Sequence, residues 1–173
     1  RLLFRPPAFL RAPERVHRVY GSFLWNGSPM STREQAYRGN EDLISFTHSF
    51  EAYAAFEYRN QAVGLGEQAR ELIVGSVSAS YFDFFAVRPV LGRFFTALDD
   101  QVRVARRVAV LGYNFWQSEY SGSQTVLGRE IQVGPASFTI IGVAPKGFAG
   151  VSDSEMPALF IPANAFAFLN ARD

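Results

Sequence analysis

The chain has 173 residues, a formal net charge of +1 at neutral pH and no cysteine. The near-zero charge gives no reason to expect nucleic acid or an anionic membrane surface as a partner. The lack of cysteine excludes disulfides, thiol catalysis and cysteine-ligated metals. With 17 phenylalanines and seven tyrosines the chain can offset its ordering entropy by burial, which predicts one ordered domain or two small packed subdomains.

The N-terminal third is predicted to contain one strand and two short helices. Arg15–Phe23 is rich in β-branched and aromatic residues, which favour a strand. Ser31 and Glu34 have the spacing of a capping box, which predicts the start of a helix. The elements predicted after the strand are a turn over 26–29, a helix over 31–45, and a helix that begins at Ser49 and includes Phe56.

The middle of the chain alternates between β-rich and aromatic segments. A polar, alternating run from Glu57 to Leu65 and the run Glu71–Ser78 each predict a strand. Ser80–Ala86 predicts an aromatic helical turn that ends before Pro89, because a residue that precedes proline disfavours helix. Thr96–Arg107 is charged and is expected to be a solvated loop.

The segment from Val108 to Gly150 has the most regular pattern. It predicts a buried strand over 108–111, a helix over 114–120, and a hairpin of strands over 130–133 and 138–143. Ile131 and Val133 are expected to share a face with Phe138 and Ile140. An edge strand is predicted over 158–161, between two prolines. Without a regular βαβ rhythm, the mixture predicts an α+β fold.

Three patterns could indicate chemistry, and each has a simpler explanation. Gly64, Gly66 and Ala69 spell the G-x-G-x-x-A of a dinucleotide site, but a polar run precedes them, so a hairpin loop is expected. A hydrolase could use His48 with Ser45 or Ser49, but no G-x-S-x-G elbow supports it. Acidic pairs are expected on solvated loops, and they are Glu41/Asp42, Asp99/Asp100 and Asp153/Glu155.

Trp116 offers a further hypothesis. An aromatic pocket near it would suit a small apolar ligand or a lipid. The alternative is that Trp116 is partly buried and packs with Tyr120, next to Phe115, at helical spacing. No catalytic, metal or cofactor-binding residue is predicted.

Several phrases occur in an order that is similar to one family. A Tyr-Phe pair and the phrase RPVLGRFF precede an acidic pair, and VAVL with a later Trp, LGREI and FTIIGVAP follow. With SFEAYAA over 49–55, they resemble the periplasmic core domain of MacB-like ABC-transporter permeases, the macrolide-exporter and FtsX-related group. The positions that carry this resemblance, expected to be structural, are Tyr81, Phe82, Arg88, Pro89, Gly92, Arg93, Trp116, Gly128, Arg129, Gly142 and Pro145.

The resemblance implies an architecture and a setting. A leader and porter-like part would occupy residues 1–60, and a β-rich, Sabre-like part residues 61–173. Such a domain lies between two transmembrane helices on the outer side of the bacterial cell membrane and has no catalytic residues. We expect the chain to be a fragment of a longer protein, with the porter-like part incomplete.

The implied function is to transmit conformational change. The expected partners are the protein's own transmembrane helices, a cytoplasmic ATPase subunit acting indirectly, and an envelope adaptor or cargo, with no nucleic acid. The loops expected to face partners are Gly64–Glu71, Thr96–Arg107 and Pro145–Glu155.

Overall fold

The computed structural model describes residues 9–10, 12–19, 21–26, 28–32, 49–101, 106–151 and 156–169. Its strands are β1 (Gly21–Trp25), β2 (Ser28–Thr32), β3 (Phe56–Val63), β4 (Arg70–Val77), β5 (Leu91–Gly92), β6 (Val108–Leu111), β7 (Glu130–Val133), β8 (Ala136–Val143) and β9 (Leu159–Pro162). Its α-helices are α1 (Tyr81–Phe84) and α2 (Tyr113–Tyr120). Short 3-10 helices cover Pro13–Arg15, Gly66–Gln68, Gln124–Val126 and Ala163–Leu169. The fold is α+β, as the sequence predicts.

The strands β3 and β4 form a long antiparallel hairpin. Phe56 lies opposite Val77 at one end, and Val63 lies opposite Arg70 at the other. The loop between them begins at Gly64, whose φ of +108° favours glycine. The G-x-G-x-x-A pattern is therefore a hairpin loop, as predicted.

A seven-stranded sheet of order β5-β8-β6-β9-β4-β3-β7 contains both parallel and antiparallel neighbours. The strand β7 also pairs with β8, so the pairings close the sheet on itself. The hairpin of β1 and β2 forms a separate sheet in the part of the chain that the structure describes.

The strand predicted over 158–161 is present, but the prediction that it lies at an edge of the sheet is wrong. The strand β9 lies between β4 and β6, and all of its residues are buried. Pro157 precedes the strand and Pro162 ends it, so the residues between them keep their N–H groups for both neighbours. Prolines at the ends of a strand do not confine it to an edge.

Alternating residues of the central strands supply two apolar cores. Leu159 and Ile161 of β9 belong to the first, with Ile131, Val133, Phe138 and Ile140 of the β7–β8 hairpin, whose predicted shared face is confirmed. Phe160, between them in sequence, belongs to the second core, with Tyr81, Phe82 and Phe85. This follows from the period of two along a strand.

The helix α2 confirms the prediction over 114–120, but the predicted ring pair is wrong. Trp116 is buried, and its ring contacts that of Tyr113 edge to face with centroids 5.7 Å apart. Tyr120 instead pairs with Phe115 edge to face, and both of these partly buried rings pack against the first core. The indole N–H of Trp116 donates to the Ser123 carbonyl at 2.9 Å.

The N-terminal predictions are the least accurate. The strand expected from Arg15 begins at Gly21, and Pro13–Arg15 is a 3-10 helix. Ser31 lies in β2 rather than at a helix start, and the rest of that predicted helix lies outside the described residues. The helix expected from Ser49 is absent over 49–55, and Phe56 begins β3, where pairing with β4 overrides the local helical pattern.

The loop after β8 is fixed by two tyrosines. The hydroxyls of Tyr58 and Tyr81 are hydrogen-bonded to each other, and Tyr58 donates to the Ala149 carbonyl at 3.1 Å. Burial raises the pKa of the Tyr81 hydroxyl well above its usual range, so it stays neutral. Gly150 has a φ of +69°, and a Cβ there would overlap both hydroxyl oxygens. The loop therefore needs glycine at this position.

Replacing Gly150 with alanine should destabilise the chain more than the same change at Gly147 in the same loop. Both glycines have positive φ, so each variant loses about 1 kcal/mol from backbone strain. At Gly147 an added Cβ meets nothing within 4 Å, whereas at Gly150 it displaces the hydroxyls of buried Tyr81 and half-buried Tyr58 at a further cost of about 1–3 kcal/mol. Urea unfolding measures the difference, and equal losses in the two variants would contradict the account.

Candidate functional site

The loop that follows β5 is built around Asp99, whose carboxylate is fully buried. The backbone N–H and the hydroxyl of Thr96 each donate to its Oδ2 at 2.8 Å, and the Asp99 N–H donates back to the Thr96 carbonyl at 2.9 Å. This local turn directs the carboxylate inward. The sequence predicts a solvated acidic pair here, and that prediction is wrong: Asp99 is 0% and Asp100 6% exposed.

Two arginines contact Asp99 from the two sides of its loop. Arg93 donates from Nη1 to Oδ2 at 2.6 Å and from Nη2 to Oδ1 at 3.2 Å, which is a bidentate pair. Arg106 places its Nη1 3.8 Å from Oδ1, and its backbone N–H donates to the Asp99 carbonyl at 3.0 Å. The side chains of Arg93 and Arg106 are 47% and 59% exposed, so the cations are hydrated while the anion is not.

The ionisation of Asp99 is set by opposing effects. Burial by itself would raise the pKa of the carboxyl, but the hydrogen bonds from Arg93 and Thr96 outweigh it and lower the pKa to about 2. Asp99 therefore remains a carboxylate throughout the physiological range. A carboxylate held this firmly by donors is a poor base, so its role is structural.

Asp100 faces other partners and joins the start of α1 to the segment that follows β9. Its Oδ2 accepts from the Ala79 N–H at 3.2 Å, next to the start of α1, and its Oδ1 accepts from the Asn164 N–H at 2.8 Å, just after β9. The Asn164 side-chain amide donates to the Asp100 carbonyl at 2.6 Å. The two neighbouring carboxylates thus fix one loop to β5, α1 and the end of β9. We call Asp99, Asp100 and Arg93 the acidic anchor.

A close approach of two glycines positions Arg93 next to Asp99. Gly92 of β5 lies opposite Gly142 of β8, and Gly92 has a φ of +69°. A Cβ on Gly92 would overlap the Ile141 carbonyl, and one on Gly142 would overlap the carbonyl of Arg93. In the LGR phrase, the glycine is therefore needed for the backbone contact with β8, and the arginine that follows it forms the ion pair with Asp99.

The other predicted motif residues lie in different places. Tyr81 and Phe82 are in the second core, where Phe82 stacks on Phe94 with centroids 3.9 Å apart. Arg88 is exposed and Pro89 is half-buried. The remaining four are Trp116 at the first core, Gly128 at a turn with φ +81°, Arg129 over the Tyr120 ring at 5.4 Å, and the half-buried Pro145. The structure brings only Gly92, Arg93 and Gly142 of these residues into one constellation.

Sequence reasoning missed the roles of Asp99, Asp100 and Asn164. A usable signal was present for the first of them, because Thr96 and Asp99 have the spacing of a turn closed by side chains, and Arg93 precedes them closely. For the link from Asp100 to Asn164, 64 residues away, the sequence offers no local signal.

The hypothesis of an apolar ligand near Trp116 finds little support. A cavity beside α2, lined by Tyr113, Phe148 and Met156 among others, holds about 10 Å³, which is room for one water molecule. A larger cavity of about 210 Å³ is open to solvent and is lined by Tyr58, Arg59, Asn60 and Ile73. The His48 and Ser45 of the hydrolase hypothesis lie outside the described residues.

The described residues also hold no group of three or more His, Asp or Glu side chains that could bind a metal ion. None of the helices that the structure describes has the length and apolarity needed to cross a membrane. The oxygens of both buried carboxylates accept hydrogen bonds from arginine, hydroxyl or backbone donors, which is typical of carboxylates with a structural role.

Comparison with known proteins agrees with this class. Residues 11–173 match the family of MacB-like periplasmic core domains. The chain belongs to this family, and the resemblance read from its motifs is confirmed. Membership supports a non-enzymatic, extracytoplasmic domain.

Two relatives match by sequence, both macrolide export ATP-binding/permease proteins MacB. The protein from Chlorobium phaeobacteroides is 32% identical over 78 residues, which are 43% of this chain and 11% of the relative. The protein from Bdellovibrio bacteriovorus is 33% identical over 98 residues, which are 56% of this chain and 14% of the relative. The match therefore covers only a small part of each of these proteins.

Two solved structures share the fold. The periplasmic region of MacB from Actinobacillus actinomycetemcomitans matches with a TM-score of 0.60 at 17% identity, covering 79% of this chain and 59% of that one. The extracellular domain of the noncanonic ABC-type transporter YknZ from Gram-positive bacteria matches with a TM-score of 0.58 at 17% identity, covering 74% of this chain and 65% of that one. At this identity the likeness is one of fold.

Replacing Asp99 with Asn should lower the free energy of unfolding by about 2–3 kcal/mol at pH 7, because Arg93 loses its partner and a donor amide faces the Thr96 donors. The pKa of Asp99 is lower when folded, so its stabilisation is full above about pH 4 and is lost as the pH falls through about 2. The gap in the free energy of unfolding between wild type and variant should therefore narrow as the pH falls.

Urea unfolding between pH 7 and pH 2.5 measures this gap, and Asp83→Asn, on an exposed residue of α1, is the matched control. A gap that is constant over the pH range, or a control variant with the same loss, would contradict a buried and ionised Asp99.

Proposed function

We propose that the chain is the extracytoplasmic domain of an ABC-type transporter permease that transmits conformational change between the membrane part and envelope partners or cargo. The match to MacB-like periplasmic core domains over residues 11–173 carries this proposal. ATP hydrolysis would belong to a separate cytoplasmic subunit or domain. The division into a porter-like part over 1–60 and a Sabre-like part over 61–173 belongs to the same proposal, with residues 60 and 61 both within β3.

The acidic anchor supports a role in transmitting movement. A domain that passes displacement from one side to the other needs firm links between the elements that carry the motion, since soft links there would absorb it. Asp99 and Asp100 join β5, α1 and β9 through charge-assisted hydrogen bonds, and each carboxylate oxygen accepts at least one of them. The motif residues thus contribute stiffness rather than chemistry.

Exposure distinguishes the three loops proposed to face partners. In Gly64–Glu71 every residue after Gly64 is exposed, and Leu65 is 73% exposed. In the described parts of Thr96–Arg107 and Pro145–Glu155, the exposed positions include Leu98 and Lys146, while Asp99, Asp100 and Phe148 are buried. The β3–β4 loop is therefore the best placed of the three for docking, and an apolar side chain at its tip suits a protein partner.

A cysteine in place of Leu65 should react with a membrane-impermeant maleimide in cells that express the full-length protein and keep the cytoplasmic membrane intact. Leu65 is 73% exposed, whereas Ala109, the control position, is 0% exposed and should react only after denaturation. The chain itself contributes no background thiol. Labelling at Leu65→Cys that requires rupture of the cytoplasmic membrane would contradict an extracytoplasmic domain.

The same variant tests transmission. We propose that ATP binding elsewhere in the transporter alters contacts at the β3–β4 loop, so the labelling rate should differ between nucleotide-free and vanadate-trapped protein in native membranes. The same rate in both states would count against docking at this loop, and it would leave the location of the domain unaffected.

A further inference from the structure

The junction between β3 and β7, which we call the seam, is the shortest of the strand contacts that close the sheet. Val63 opposite Val133 is its one paired position. Two backbone hydrogen bonds flank that pair, from the Gly64 N–H to the Gln132 carbonyl at 3.0 Å and from the Gly134 N–H to the Ala62 carbonyl at 2.7 Å. On its other side β3 pairs with β4 along its whole length.

The backbone prevents a longer seam. Gly64, directly after β3, has a φ of +108°, and Gly134, directly after β7, has a φ of +54°. Both strands leave the pairing direction at these glycines and enter their own hairpin turns. Because the two strands are antiparallel, Gly64 ends the ladder on one side of the paired valines and Gly134 ends it on the other.

The buried side chains favour the closed seam, but the free energy needed to open it is small. Val63 is 4% and Val133 0% exposed, and both belong to the first core. Opening would expose these two valines and break two hydrogen bonds, whereas separating β3 from β4 would break a ladder of eight residues in each strand. Proteins open locally where the fewest contacts are lost, so the seam is the favoured point of opening.

We propose that the closed sheet opens reversibly at the seam, with the β3–β4 hairpin on one side and the β7–β8 hairpin on the other. Val63 and Val133 leave the first core in this opening, while the rest of both cores stays folded. Only the use of this opening in transport rests on the proposed function. The opening itself is a property of the chain and is tested without any transport measurement.

The pattern of hydrogen bonds identifies a crosslink that locks the seam. The bonds run between the residues that flank Val63 and Val133, so these two form a non-hydrogen-bonded pair, with Cα atoms typically about 4.5 Å apart. That separation suits a disulfide. The double variant Val63→Cys/Val133→Cys has no other cysteine with which to mispair.

A matched control lies in the same hairpin. The Ser78 N–H donates to the Ala55 carbonyl, which makes Phe56 and Val77 a non-hydrogen-bonded pair. By alternation along the ladder, Ala62 and Glu71 form a pair of the same type. The disulfide of Ala62→Cys/Glu71→Cys therefore has the same geometry without crossing the seam.

Amide hydrogen exchange of the wild-type chain and the two oxidised variants, followed by NMR, tests the proposal. In the wild type, the protection factors of the Gly64 and Gly134 amides should be about tenfold or more below those of β9, which open only with global unfolding. The seam disulfide should raise the protection factors of these two amides to the level of β9. The control disulfide should leave the gap between their protection factors and those of β9 unchanged. The proposal would be overturned if the Gly64 and Gly134 amides of the wild type were as protected as those of β9. It would also be overturned if the seam disulfide left their protection factors below those of β9.

Discussion

The buried carboxylate of Asp99 is the constraint on which much of the surrounding structure depends. An anion removed from water is costly unless donors surround it, and here Arg93, Thr96 and, at longer range, Arg106 supply them. Asp100, next in sequence, extends the arrangement to α1 and to the residues after β9. The loop that contains Asp99 and Asp100, which composition predicts to be solvated, thus links β5, α1 and the segment after β9.

This constraint gives a physical reading of the motif residues. Gly92 and Gly142 allow β5 and β8 to approach closely enough for Arg93 to reach Asp99, and Tyr81 fixes the loop at Gly150 from within the second core. None of these contacts leaves a polar group poised for chemistry. Family membership, a closed sheet and hydrogen-bonded buried carboxylates support the mechanical role that we propose for the domain.

Much of the fold follows from local pattern, and the errors have common causes. The β3–β4 and β7–β8 hairpins and α2 are predictable because alternation, helical spacing and turn residues agree there. The position of β9 is not, since a short apolar run between prolines does not specify its neighbours. The burial of Asp99 and Asp100 depends on partners such as Asn164 that lie far away in sequence, so residue type alone predicts the opposite. The seam likewise arises from pairing that no single segment encodes.

The most direct test of the central claim, that a buried ion pair organises this domain, is a double-mutant cycle on Arg93 and Asp99 measured by urea unfolding at pH 7. The variants Arg93→Gln and Asp99→Asn, alone and together, give the coupling free energy between the two side chains. We expect a coupling free energy of about 1–3 kcal/mol, because a buried carboxylate takes part in a bidentate, charge-assisted pair. A coupling below about 0.5 kcal/mol, the size typical of an exposed surface pair, would contradict it.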